Sequence, residues 1–266
     1  MSVVIIIPAR HASTRYPGKP LVPLKGAGGQ ARTLIRRSWD AAMAVPGIDR
    51  VVVATDEERI RDHALGFGAE VVMTATTCRN GTERCAEAIA NLGISPEIVV
   101  NLQGDAPLTP PWFVSALVEA MRAPQAPAVA TPVLRCDADA LAGFLEDRRQ
   151  GRVGATTAVF DRAGRALYFS KEVIPFTGGA LPPGAEIPVF HHVGVYAYTA
   201  EALAAYDGWE VGPLESLEGL EQLRFLENGI PVACVEVEAR GRAFWELNNP
   251  SDVPRIEAIL AELGLP

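Results

Sequence analysis

The chain has 266 residues, room for one large domain, and 48% of them are hydrophobic, ample for a sizeable core. It carries 24 Lys and Arg against 32 Asp and Glu, a net charge of −8 that argues against nucleic acid as a partner. Its cysteines, Cys78, Cys85, Cys136 and Cys234, show neither a C-x-x-C pair nor zinc spacing, and read as reduced thiols of a cytoplasmic protein. The first element is the run Val3-Val4-Ile5-Ile6-Ile7, which suits a buried parallel strand. It ends at Pro8, too short for a signal-peptide core or a membrane span, so no membrane partner is expected. Residues 8–20 are too rich in Pro, Gly and Ser for a helix. Leu34, Ile35, Trp39 and Met43 then recur at helical spacing. Residues 50–54 read as a strand, 56–65 as a helix with acids in its first turn, and 70–73 as a short strand. A helix over 82–92, a buried strand over 97–102 and a helix over 110–121 with proline in its first turn follow. Strands spaced by such helices imply βαβ units, and we expect an α/β fold with a Rossmann-like, doubly wound, mostly parallel sheet.

The middle of the chain changes character. Residues 152–170 read as two strands around Asp161-Arg162-Ala163-Gly164, 176–188 as a long mobile loop dense in Gly and Pro, and 189–198 as one long strand. A hairpin-rich insert of this kind suits a lid, a second-substrate site or a dimer contact. Residues 214–228 place leucines at 214, 217, 220, 223 and 226, predicting one helix ended by Gly229. A strand over 232–237 and a helix over 250–263 close the chain. The whole, residues 1–266, reads as a single domain, with a nucleotide-binding core over 1–132 and 205–266 and the insert over 133–204.

Chemistry concentrates behind the first strand. Arg10, Arg15 and Lys19 sit in a rigid loop at the carboxyl end of a buried strand, where open α/β sheets bind ligands. Three fixed cations there imply a polyanion such as a nucleoside triphosphate; the alternative is a solvated loop with incidental charges. Arg10 and Lys19 suit β- and γ-phosphates, with Arg15 ranked third because it could instead pair with an acid on the surface. Asp105, just beyond a buried strand and after Gly104, could face that site and hold magnesium, which prefers one or two carboxylates plus phosphate oxygens. The alternative for Asp105 is a turn-capping role. Gly81-Thr82-Glu83-Arg84 opens a helix whose free amides are available to an acceptor ligand, or which Asn80 or Thr82 caps locally. No G-x-G-x-x-G follows the first strand, which disfavours a dinucleotide-dependent dehydrogenase.

The loop Pro8-Ala9-Arg10-His11-Ala12-Ser13-Thr14-Arg15-Tyr16-Pro17-Gly18-Lys19-Pro20 resembles the signature of the sugar-acid cytidylyltransferases. The resemblance continues through Ala54-Thr55-Asp56, Gly81-Thr82-Glu83-Arg84, Asn101-Leu102-Gln103-Gly104-Asp105-Ala106-Pro107 and Leu167-Tyr168-Phe169-Ser170. It resumes at His192-Val193-Gly194-Val195-Tyr196 and Leu220-Glu221-Gln222-Leu223-Arg224. In this order the blocks are most similar to the 3-deoxy-manno-octulosonate (KDO) cytidylyltransferase family. That resemblance implies an enzyme joining CTP and KDO into CMP-KDO and diphosphate, a precursor step for lipopolysaccharide or capsule, with Mg2+ as cofactor and a homodimer as the assembly. It implies catalytic roles for Arg10, Lys19 and Asp105, and a nucleotide site of Ala9, Arg10, Arg15, Lys19, Thr82, Arg84 and Gln103. It gives Asp105 a metal-binding role, and makes the insert both acceptor site and dimer contact. The acceptor residues it implies are Lys171, His192, Tyr196, Glu221 and Gln222, although a lone strand histidine is more often structural.

The departures cluster on the acceptor and metal side. Lys171 stands where the family has an arginine, supplying charge without the planar fork. Asn248, in Trp245-Glu246-Leu247-Asn248-Asn249-Pro250, falls on a second metal-binding Asp of the family. Asn248 could coordinate magnesium through its carbonyl, or instead cap the helix beginning at Pro250. The turn Leu24-Lys25-Gly26-Ala27-Gly28-Gly29-Gln30 and the stretch Val153-Gly154-Ala155-Thr156 are altered as well. These changes leave two alternatives open: a cytidylyltransferase of a different acid, such as another 3-deoxy-ulosonate or phosphonoformate, and a non-catalytic nucleotide-binding homologue.

Overall fold

Strand β1 (Val3–Ala9) is buried along its whole length, as a β-branched run between two sheet neighbours should be. The computed structural model describes residues 2–13, 15–152, 155–178 and 184–266. After β1 come the hairpin β2 (Pro23–Lys25) and β3 (Ala31–Thr33), then α1 (Leu34–Met43), β4 (Arg50–Thr55), α2 (Glu58–Gly66) and β5 (Glu70–Met73). The chain continues through α3 (Gly81–Leu92), β6 (Ile98–Leu102), α4 (Pro111–Met121), β7 (Val129–Arg135) and α5 (Ala138–Arg149). Then follow β8 (Thr156–Phe160), β9 (Ala166–Ser170), β10 (Phe190–His192), β11 (Val195–Tyr198), α6 (Ala200–Asp207), α7 (Pro213–Glu218) and α8 (Leu223–Glu227). The strand β12 (Val232–Glu236) and the helix α9 (Val253–Glu262) complete it.

One sheet runs through the molecule in the order β5-β4-β1-β6-β11-β7-β10-β8-β9, with β12 parallel on β7. From β5 to β6 every ladder is parallel. From β6 to β9 every ladder is antiparallel. Alternate residues of β1 serve opposite cores, because successive strand side chains point to opposite faces. Val3, Ile5 and Ile7 pack with Ile35, Ile60 and Phe113 from α1, α2 and α4. Val4 and Ile6 pack with Cys85, Leu203 and Phe225 from α3, α6 and α8. That is the double winding expected from the sequence. A third cluster joins Leu24, Leu34, Leu108, Ile256 and Leu260 around Leu247. It anchors the segment 245–249 beside the ends of β1 and β6.

Two readings change. Residues 189–198 are not one strand: β10 and β11 are separated at Val193-Gly194. Both pair with β7 on one side, but on the other β10 joins β8 while β11 joins β6, so the chain must break to serve different neighbours. Residues 214–228 are not one helix. Gly219, at φ 62°, closes α7 in the left-handed conformation that glycine adopts without strain, and α8 starts four residues later. Strand β11, from the insert, lies between β6 and β7 at the centre of the sheet. Parts of the loop placed at 176–188 (residues 179–183), and Val153 and Gly154 of the altered stretch, lie outside the described residues. Among the described residues, no helix is long and apolar enough to cross a membrane.

Candidate active site

The loop after β1 folds back on itself, with the His11 carbonyl accepting from the Ser13 and Gly18 amides at 2.9 and 3.0 Å. This sends the chain into the short helical turn Lys19–Leu21 with Pro20 buried. A cavity of about 570 Å³ opens at the carboxyl edge of β1 and β6, lined by Ala9, Arg10, Arg15, Lys19, Gln103 and Asp105 among others. Arg10 is exposed and donates to the Arg79 carbonyl at 3.3 Å. Lys19 Nζ lies 2.5 Å from Asp105 Oδ2 and 3.2 Å from the Leu247 carbonyl oxygen. The cation and the carboxylate predicted to flank a triphosphate thus already meet. Asp105 is no turn cap: its side chain pairs with Lys19, and its backbone carbonyl receives the Leu247 amide at 2.9 Å.

The other end of this cavity is formed by the start of α3. Asn80 caps the helix, accepting from the Glu83 amide at 2.9 Å, so the local-cap alternative holds for this residue. Thr82 is fully buried, its hydroxyl 2.8 Å from that of Tyr198, and it lies behind the cavity wall. Arg84 touches the lining, but its guanidinium is turned inward, 3.1 Å from Asp56 and 2.5 Å from the Thr74 hydroxyl. Both residues were expected to contact nucleotide; their buried side chains brace α3. Glu221 accepts from the Thr82 amide at 3.0 Å and from Gln103 Nε2 at 2.9 Å. Burial pushes its carboxyl above the ordinary glutamate range. Gln222 accepts from the Tyr196 hydroxyl at 3.0 Å, while its buried Nε2 has no hydrogen-bond partner among the described residues. Such a donor is a handle for a ligand. Glu221 and Gln222, expected on the acceptor side, line the first cavity rather than the second. Arg79 and Ser216 also line it and were not singled out in the sequence, and Asn80, read only as a cap, lines it too; for Arg79 the helix start beside the loop cations was the available signal.

A second cavity, also about 570 Å³, adjoins the first and shares Arg15, Gln103, Asp105 and Tyr196 with it. Lys171 and His192 line it, as the sequence predicted for an acceptor site. His192 and Tyr196 meet with ring centroids 5.6 Å apart, despite the break between β10 and β11. His192 is buried against Phe169, its Nε2 is 2.9 Å from the Thr131 hydroxyl, and burial followed by His191 lowers its pKa to about 3. It is a neutral, packed wall residue. Among the described residues Arg15 does not pair with a surface acid: its guanidinium donates to Asn248 Oδ1 at 2.7 Å. Asn248 does not cap the following turn, because Asn249 does so with Asp252 in a reciprocal capping box. Glu246, passed over in the sequence, lines the same cavity. Burial, and then the Asp105 charge, push its carboxyl up to about 7.

A parallel half-sheet, phosphate-seeking cations at its carboxyl edge and a carboxylate shared between two adjoining cavities together define a nucleotidyltransferase. A family model described as cytidylyltransferase matches residues 4–238, and the chain belongs to that family. It is 45% identical to the 3-deoxy-manno-octulosonate cytidylyltransferase of Maricaulis maris over 99% of both chains. It is 38% identical to the 8-amino-3,8-dideoxy-manno-octulosonate cytidylyltransferase of Shewanella amazonensis, over 97% of this chain and 98% of that one. A solved structure of CMP:2-keto-3-deoxy-manno-octonic acid synthetase complexed with CTP matches with a TM-score of 0.83 at 32% identity, covering 99% of this chain and 100% of that one.

Proposed function

We propose that this chain converts CTP and 3-deoxy-D-manno-octulosonate into CMP-KDO and diphosphate. The observation that carries the reading is the junction of the two cavities at Asp105, Gln103 and Arg15. A nucleotide in the first cavity would present its α-phosphorus there to an acid held in the second. The acceptor's anomeric hydroxyl oxygen forms a bond to that phosphorus as the bond to the β-phosphate oxygen breaks. The hydroxyl proton passes to solvent and diphosphate departs. Little covalent help is needed from the protein, whose work is alignment and charge stabilisation. Arg10 and Lys19 hold the departing diphosphate, Lys19 exchanging Asp105 for phosphate oxygens. Gln103 and the open donor of Gln222 orient the nucleoside. Lys171 and Arg15 attract the acceptor's carboxylate, and His192 and Tyr196 form the wall against which the sugar rests.

Magnesium fits this donor set. Among the described residues, no three His, Cys, Asp or Glu side chains form a protein cage. One or two carboxylates facing a phosphate site are what a cation retaining water and phosphate ligands requires. Asp105 would hold it, and when bound it neutralises charge on the transferring phosphoryl group. The four cysteines, all buried and unpaired, support a cytoplasmic enzyme. A homodimer through the antiparallel half is part of the same reading, supported by Leu167 and Phe176 there, 64% and 93% exposed. The deciding measurement is diphosphate release with CTP fixed and a panel of acids varied, including KDO, its 8-amino analogue and phosphonoformate. KDO should give the fastest turnover, and CTP should outrun ATP and GTP. Equal rates with every triphosphate, or no release with any acid, would defeat the reading.

A further inference from the structure

We infer that Glu246, rather than Asn248, supplies the second carboxylate of the magnesium site, facing Asp105. The inference rests on the cytidylyltransferase reading and concerns how this chain meets its metal requirement. Leu247 is fully buried in the core cluster with Leu24 and Leu108. Its amide donates to the Asp105 carbonyl and its carbonyl accepts from Lys19 Nζ, so it is pinned on both sides. In extended chain the residues flanking an inward side chain point the other way. Glu246 and Asn248 therefore both enter the second cavity, where Asp105 also lies. Their situations there differ. Asn248 Oδ1 is taken by the Arg15 guanidinium at 2.7 Å, and its amide group reaches toward Glu246 Oε2 at 3.5 Å. The Glu246 carboxylate has no cation within hydrogen-bonding distance among the described residues; that 3.5 Å amide is its one side-chain partner.

Space has been left for it. A Cβ on Gly194 would stand 3.3 Å from Glu246 Oε1, so a side chain at 194 would crowd the carboxylate. Glu246 and Asp105 line the same cavity, which places the two acids on one polar surface. Lys19 neutralises Asp105 in this structure. Once Lys19 turns to phosphate oxygens, the two carboxylates of this cavity repel, and a divalent ion relieves that repulsion while gaining two oxygen ligands. The neutral Asn248 is then a partner for Arg15, and the negative charge missing at 248 is restored two residues earlier on the same side of the chain.

Mn2+ is the probe, its binding to the full chain read from loss of the free-ion electron paramagnetic resonance signal, with and without CTP and with no acceptor present. Glu246→Gln, nearly isosteric, should weaken Mn2+ binding in the presence of CTP by at least about tenfold, the range seen when even outer-shell partners of a metal are removed. Asn248→Ala should change it far less. The double variant Glu246→Gly with Asn248→Asp, which moves the charge back by two positions, should recover most of the loss. Wild-type Mn2+ affinity in Glu246→Gln together with a raised KM for the acid would overturn the inference, making Glu246 an acceptor contact. Equilibrium dialysis separates the two levels. Should CTP fail to bind the wild type, the cytidylyltransferase reading falls; should CTP bind normally to Glu246→Gln with unchanged Mn2+ affinity, only the role of Glu246 falls.

Discussion

The two halves of the sheet solve different problems. The parallel half, from β5 to β6, gives the first cavity one wall made of segments that follow its strands: the loop after β1, the start of α3 and the turn after β6. Residues around α7, among them Ser216, Glu221 and Gln222, close the other side. The antiparallel half assembles the second cavity from pieces remote in sequence. Lys171 follows β9, His192 ends β10, Tyr196 lies in β11, and Glu246 and Asn248 come from the segment before α9. The wall made of those loops is stiff, since each loop is tied to a buried strand at its root. An acceptor site gathered from four separate segments can change one of them without disturbing the rest. The alterations noted in the sequence, at 171 and 248, fall in that second group.

The comparison is tested most severely where the halves meet. Asp105→Asn and Lys19→Ala should each lower turnover by about 10²–10³-fold, the cost of removing one fixed charge aimed at a transition state. Thermal stability should move little, because their ion pair is partly exposed, at 14% and 23%, and partly exposed pairs contribute little to stability. Diphosphate-release rates beside melting curves check both statements. A large fall in melting temperature with turnover per folded molecule intact would make the junction structural and dissolve the division of labour.

What the sequence revealed follows the same division. In the parallel half, β5 was read to the residue, and α1, α3 and α4 to within a residue or so, because strand and helix periodicities there are uninterrupted. In the other half, the helix α5 went unread. It has no fully buried residue, so little apolar periodicity marks it beyond the cap that Asp137 provides. Gly194 and Gly219 were each read through, since a single glycine inside an apolar run is weak punctuation until the neighbours on either side are known. Among site residues, Arg10, Lys19 and Asp105 were legible from position after a strand, and Gln103 only from the family resemblance. For Thr82 and Arg84 a helix start offers both free amides and side chains, and only packing shows that these side chains point inward. Glu246 was hidden by a shift of two positions, though a polar-apolar-polar alternation around a buried Leu247 was there to be read.

A smaller effect should separate the halves by substrate. Lys171 lines only the second cavity, and its backbone amide is fixed by Glu218 at 2.9 Å, so the side chain can be shortened without loosening the strand end. Lys171→Ala should raise the KM for the acid by about tenfold, the loss of one charge-assisted contact at ~1.4 kcal/mol, while the KM for CTP stays near wild type. Lys171→Arg should retain or improve acid binding by offering a two-bond fork. A matched rise in both KM values would show that the cavities do not act separately.

The smallest effect is a matter of pH and concerns the wall of the second cavity. His192 is buried with its folded-state pKa lowered from 6.5 to about 3, so the folded protein keeps it neutral where the unfolded chain binds a proton. Below pH 6.5 the unfolded state therefore binds more protons than the folded state, and stability falls as pH falls. The contribution is fully present above pH 6.5 and declines down to about 3. Between pH 7.5 and 5.5 this one group should cost about 1 kcal/mol, or ~2–4 °C in Tm for a chain of this size. His192→Asn, which can still reach the Thr131 hydroxyl, should lose stability overall but show a flatter dependence of Tm on pH. If the pH slope of His192→Asn matched that of the wild type, the ring would be charged in the folded protein and available to bind the acid's carboxylate, which would turn a packed wall into a binding group.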